Sequence, residues 1–200
     1  MNLKEKLNLL EGELNRIESP ILRLLRDSND GFDRNQTAHV LTNLGMCPLQ
    51  MLLDFYDWAT GADENILFNI NNQVKLSTIG NPAKVSITTS LYMLDATTDD
   101  FFAHRKMLPF IYNGIMEDPI LIDLSPKSKT IGALYYYSPQ VTLSVDPIMI
   151  YDSLELWIDT MLLCYSNGIY SIKPNGMLVA DVDKEIKITR ELNPHSIYWD

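Results

Sequence analysis

Apolar side chains open the chain at Leu3, Leu7, Leu10, Leu14 and Ile17, with lysine, glutamate and asparagine filling the gaps. Spacings of three and four put all five on one stripe of a helix and turn the charged residues to water. Pro20 lacks the amide hydrogen that a continuing helix needs, so the helix must kink or restart there. Leu22 and Leu25 carry the stripe onward, and residues 27–33, DSNDGFD, form a turn-rich break. A second helix is expected over 34–44, ending at Gly45. A third is expected to hold Pro48 in its first turn, with Leu49, Leu52, Leu53 and Tyr56 on one face and Gly61 as its cap. Residues 62–100 have no clear period and read as a segment of low regularity.

From Lys106 the period shortens. MLPFIY, PILIDL, TIGALYYY and QVTLSV are four strand-like runs at hairpin spacing. Asn113-Gly114 is a hairpin turn signal, and the polar, proline-bearing residues 125–129 read as the next turn. A wide stripe of Leu154, Trp157, Ile158, Met161, Leu162 and Tyr165 then marks a helix that packs on the sheet. Asp152 and Glu155 suggest a capping box at its start, and Gly168 its end. IYSIK and MLVAD make a last strand pair around Pro174-Asn175-Gly176, before a charged segment and the tail NPHSIYWD. The order predicts a single-domain α+β fold. A central antiparallel sheet is flanked by helices, with an N-terminal helical extension over 1–44 and the α+β domain over 45–200.

Composition narrows the function. The 200 residues suffice for one good core, and 46% hydrophobic with 21% charged residues is ordinary globular usage. A formal charge of −10 argues against a nucleic-acid partner, which needs a basic face, and would steer a basic protein inward. The two cysteines, Cys47 and Cys164, read as free thiols, too few for a disulfide framework. The charged, amphipathic start is no secretory signal, and no apolar run is long enough for a bilayer, so a cytoplasmic protein without a membrane partner is expected.

Four segments carry a family resemblance: the proline-led helix CPLQMLLDFYDWATGADE (47–64), LPFIYNG (108–114), PILIDLS (119–125), and YDSLELWIDTMLLCYSNGIY (151–170). In this order they resemble the SUKH superfamily, which holds fungal cell-wall-assembly regulators and many bacterial toxin-immunity proteins. Three positions depart from that pattern. Cys47-Pro48 stands for Leu-Pro, Phe101, Phe102 and His104 stand where the pattern has a tryptophan upstream of LPFIYNG, and Ile115 replaces a glycine. The resemblance implies a non-enzymatic interaction module without cofactor. Its bacterial form would block a basic toxin, often a nuclease.

His39, His104 and His195 share no short motif, so metal and catalytic patterns find no support. Neither cysteine has a histidine near it in sequence. Asp181 and Asp183 lack the further oxygen ligands and glycine of a calcium loop, and read as a strand end before a helix cap. The remaining acids are Asp63, Glu64, Asp99, Asp100, Glu117, Asp118 and Asp123. Glu117 and Asp118 are adjacent, so in an extended chain they point apart, which weakens a catalytic pair. Asp123 either bonds a neighbouring turn or rims a concave sheet face. Gathered on one side, these acids would form a patch for a basic partner, with Tyr136, among Tyr135, Tyr136 and Tyr137, as an aromatic anchor. Three readings stand at this point: an immunity protein, a regulatory scaffold docking through its N-terminal helix, and a carboxylate-dependent hydrolase.

Overall fold

The computed structural model describes residues 1–26, 33–59, 75–79, 81–83, 101–112 and 119–199. Helix α1 (Leu3–Arg16) forms where the leucine stripe places it. Asn2 caps it in a reciprocal box: the Glu5 amide donates to Asn2 Oδ1 at 2.9 Å and the Asn2 amide donates to Glu5 Oε2 at 2.8 Å. The break before Pro20 is a Schellman turn. The Ser19 amide reaches back to the Leu14 carbonyl and the Glu18 amide to that of Asn15, with Glu18 at φ +54°. Helix α2 (Ile21–Arg26) restarts beyond it, as the proline requires.

Helix α3 (Arg34–Asn43) is capped by Asp33 and ends at Gly45, whose φ of +70° closes a second Schellman turn. Helix α4 (Gln50–Trp58) buries Leu52, Leu53, Phe55 and Tyr56. Its N-cap is Leu49, so Pro48 lies just ahead of the helix and not in its first turn. The expected cap Gly61 and most of the segment 62–100 lie outside the described residues. From that segment a three-residue strand β1 (Asn81–Ala83) runs parallel to the end of the next strand at Tyr112. Helix α5 (Phe101–Arg105) precedes it.

The sheet proper is an antiparallel meander of β2 (Met107–Tyr112), β3 (Ile120–Asp123), β4 (Leu134–Tyr136) and β5 (Ile148–Tyr151). Its register runs Leu108↔Ile122↔Leu134 at one end and Ile120↔Tyr136↔Ile148 at the other. Three of the four expected strands are present. QVTLSV is not the fourth: Pro139–Thr142 forms a single helical turn, α6, and IMIY takes the place in the sheet. Pro139 suits the first turn of a helix, and Leu143, at φ +54°, interrupts an extended chain. The Asn113-Gly114 turn lies outside the described residues.

Helix α7 (Leu154–Ser166) packs against α1 and α4 and carries the predicted stripe. Its cap is Ser153, whose Oγ accepts from the Leu156 amide at 3.1 Å, and not an Asp152–Glu155 box. Gly168, at φ +67°, ends it with a third Schellman turn. Strands β6 (Tyr170–Ile172) and β7 (Leu178–Ala180) pair as a separate hairpin, and helix α8 (Val182–Leu192) begins at its cap Asp181.

One core joins these layers. Phe55, Phe110 and Trp157, from α4, β2 and α7, meet with ring centroids 5.3 to 6.1 Å apart. Leu7, Leu10 and Leu14 of α1 belong to the same cluster as the sheet residues Leu108, Ile122 and Leu134. Lys6 sits nearly buried between Glu155 and Asp159 of α7, at 2.7 and 2.6 Å. Burial pulls its pKa down, but the bonds to the two carboxylates outweigh it and leave the pKa raised. Within the expected N-terminal extension, Leu3, Leu7, Leu10 and Leu14 of α1 thus belong to the core of the α+β unit.

Candidate functional site

Acid residues define the candidate surface, and the structure sorts them. Asp63, Glu64, Asp99, Asp100, Glu117 and Asp118 fall outside the described residues. Asp123 does not rim a face, as its partner-binding reading required. It is 2% exposed at the end of β3. Its carboxylate accepts from the Ser125 amide at 2.9 Å and from Thr130 Oγ1 at 3.1 Å, which pins the turn between β3 and β4. A strand-terminal aspartate two residues ahead of Ser125-Pro126 is placed to bond back into its own turn, and burial does the rest.

Tyr135, Tyr136 and Tyr137 are all half-buried, because a different neighbour covers each one. Tyr135 donates to Thr130 Oγ1 at 2.8 Å, Tyr136 stands edge-on to Tyr198 at 5.9 Å, and Tyr137 to Phe102 at 5.1 Å. Strand alternation alone would have bared at least one of them. The tail and α5 supply the cover. Tyr136 still reaches the surface through Tyr198, which is 41% exposed.

The deepest carboxylate was not singled out from the sequence. Glu185 of α8 is 1% exposed, and Tyr170 and Thr78 both donate to its Oε1. Tyr165, its ring 5.0 Å from that of Tyr170, donates to the Leu76 carbonyl at 2.7 Å. Burial raises the pKa of Glu185, against the pull of the two hydroxyl bonds. Nearby Cys164 is pushed up to about 12 by burial and the Glu185 charge, so its thiol stays protonated and is a poor nucleophile at neutral pH. The group ties α7, β6, α8 and residues 76–78 together. A signal for it existed: Glu185, Ile188, Thr189 and Leu192 follow the spacing of a helix's inward face.

Elsewhere, cations are drawn into pairs. Arg34 bridges Asp54, at 2.8 Å, and Asp57, and Arg105 holds Asp146 at 2.7 Å. With 26 acidic against 16 basic residues, such pairing leaves a surplus of carboxylates. His195 pairs with Asp152 at 2.8 Å, His39 meets Asn43 at 3.1 Å, and His104 lies in α5. Among the described residues no group of His, Cys, Asp or Glu is arranged to hold a metal ion. No described helix is long and apolar enough to cross a membrane.

No family model, no curated protein and no solved structure matches this chain.

Proposed function

We propose that this protein is a binding module that neutralises a basic protein, in the manner of the immunity proteins it resembles. The observation that carries the reading is where the negative charge is spent. The formal charge is −10. Among the described residues the two deepest carboxylates, Asp123 and Glu185, are occupied by hydrogen bonds inside the fold. Asp183 and Glu191 lie in solvent, and Asp57 and Asp146, also exposed, are paired with Arg34 and Arg105. A carboxylate that faces water acts through potential: it speeds the encounter with a cationic surface and orients it. Glu117, Asp118 and the acids at 63, 64, 99 and 100 belong to this proposed surface. Asp123 does not. The family reading draws on the four quoted segments and implies a toxin as the cationic partner.

The test is titration of the purified chain, by calorimetry, with the cationic domain encoded beside its own gene, at low and high salt. Binding should weaken as salt rises, since the Debye length shrinks from ~10 Å at 0.1 M to ~3 Å at 1 M. Reversing Glu117 and Asp118 to lysine should cost on the order of tenfold in affinity at low salt, and less at high salt. A complex indifferent to both salt and reversal would sink the charged-surface mechanism.

A further inference from the structure

Residues 139–146, PQVTLSVD, have the alternation of a strand, yet they belong to no strand of the sheet. The alternation serves another purpose. Thr142 Oγ1 donates to the Ser138 carbonyl at 2.8 Å, and the Ser144 amide donates to Thr142 Oγ1 at 3.4 Å. The Asp146 amide donates to Ser144 Oγ at 3.0 Å, and the Asp146 carboxylate is anchored by Arg105. The polar positions therefore fold back on the loop or its base. The apolar positions between them, Val141, Leu143 and Val145, are 68%, 90% and 71% exposed. Leu143 sits at φ +54°, ψ +25°, a left-handed conformation that disfavours any side chain, and it gains almost no buried area in return. The loop leaves the sheet at Tyr136. There the ring of Tyr136 stands edge-on to that of Tyr198.

We propose that this loop is the protein's docking element, an apolar knob that enters an apolar pocket on a cationic protein. The inference rests on the protein-binding reading above and supplies its anchor. A loop already held by its own hydrogen bonds loses little freedom on docking. Centrally buried side chains carry most of the affinity of an interface, and surrounding charge sets rate and orientation. Charge also selects the occupant. Two copies at −10 each repel one another, and a cationic partner is attracted.

The experiment replaces Leu143 with a photo-crosslinking residue in the full chain, in the cells that make it. Val182, 57% exposed on α8, is substituted the same way as control. The protein joined to position 143 is then identified, purified and titrated against the wild type, L143G and V182D. The expected result is a basic protein joined at 143 and not at 182. L143G should weaken it by roughly 30-fold, the scale of a hot-spot residue, and V182D by less than about twofold. L143G should also melt no lower than the wild type, because glycine accepts the positive φ. No adduct at 143, an adduct with a second copy of this chain, or unchanged affinity of L143G would each overturn the proposal. The two readings fail separately. If the gene-adjacent domain binds with salt dependence but ignores L143G, the knob falls and the charged surface stands. If that domain is inert while a different cationic protein is anchored at 143, the outcome is reversed.

Discussion

Replacing Leu10 with alanine tests whether the first helix is part of the fold or an appendage. Leu10 is 0% exposed on α1, which packs against α7 and α4. Removing a buried leucine's three outer carbons forfeits their transfer energy and leaves a cavity that rigid neighbours only partly fill, about 2–5 kcal/mol in all. Leu10 shares one buried cluster with Leu7 and Leu14 on the same helix and with the aromatic group on α4 and α7, so little collapse is expected and about 3 kcal/mol is the working figure. A domain of this kind has roughly 5–15 kcal/mol of stability, so about a fifth to three fifths of it should go. Urea denaturation followed by circular dichroism measures this as a lower midpoint with an unchanged slope. The control is L9A, one residue away but 53% exposed, which should shift stability by no more than about 0.5 kcal/mol. By the same accounting, deleting α1 withdraws four buried leucines at about 1.5–3 kcal/mol each and should unfold the rest. A loss under about 1 kcal/mol for L10A, or a folded protein without α1, would refute the integral core and revive the helix as a separate docking arm.

Two further outcomes follow from the buried acids. Glu185 has a folded pKa above its ordinary 4.5, because burial disfavours its charge. Its contribution to stability is therefore fully present below pH 4.5 and is lost as pH rises through the folded value. Stability curves of wild type and E185Q across that window should converge at low pH and separate above it; parallel curves would show that Glu185 is not desolvated. Asp123 should behave as a structural residue. D123A should lose about 1–3 kcal/mol through the stranded Ser125 amide and Thr130 hydroxyl, and the folded fraction should keep wild-type partner affinity. A stable D123A that binds less tightly would return Asp123 to the interface.

Much of the architecture was written in local spacing. Leucines three and four apart specified α1, the break before Pro20 followed from the missing donor of proline, and Gly45 and Gly168 marked helix ends because only they accept a positive φ cheaply. Strands β2 and β3 and the β6–β7 hairpin were legible for the same reason: period and turn residues act within a few positions. The alternation of QVTLSV misled, because a period describes which residues share a face and not which face meets a core. Pro139 opened a helical turn, Leu143 at φ +54° interrupted the run, and IMIY, with a less distinct pattern, filled the edge beside β4.

The candidate site lay further from the sequence's reach. That the chain is acidic was fixed by counting residues, since charge is additive. Which acids face water was not, because burial is a property of neighbours brought in from distant positions. Asp123 was open to a turn role or a rim role until Thr130 closed over it, and Glu185 was one more charge in a charged segment until Tyr170 and Thr78 enclosed it. Covering of the three tyrosines likewise came from Thr130, Tyr198 and Phe102, contacts that only the packed chain creates. Residue type sets what a side chain is able to do, and the long-range packing decides whether it does so toward the solvent or toward the fold.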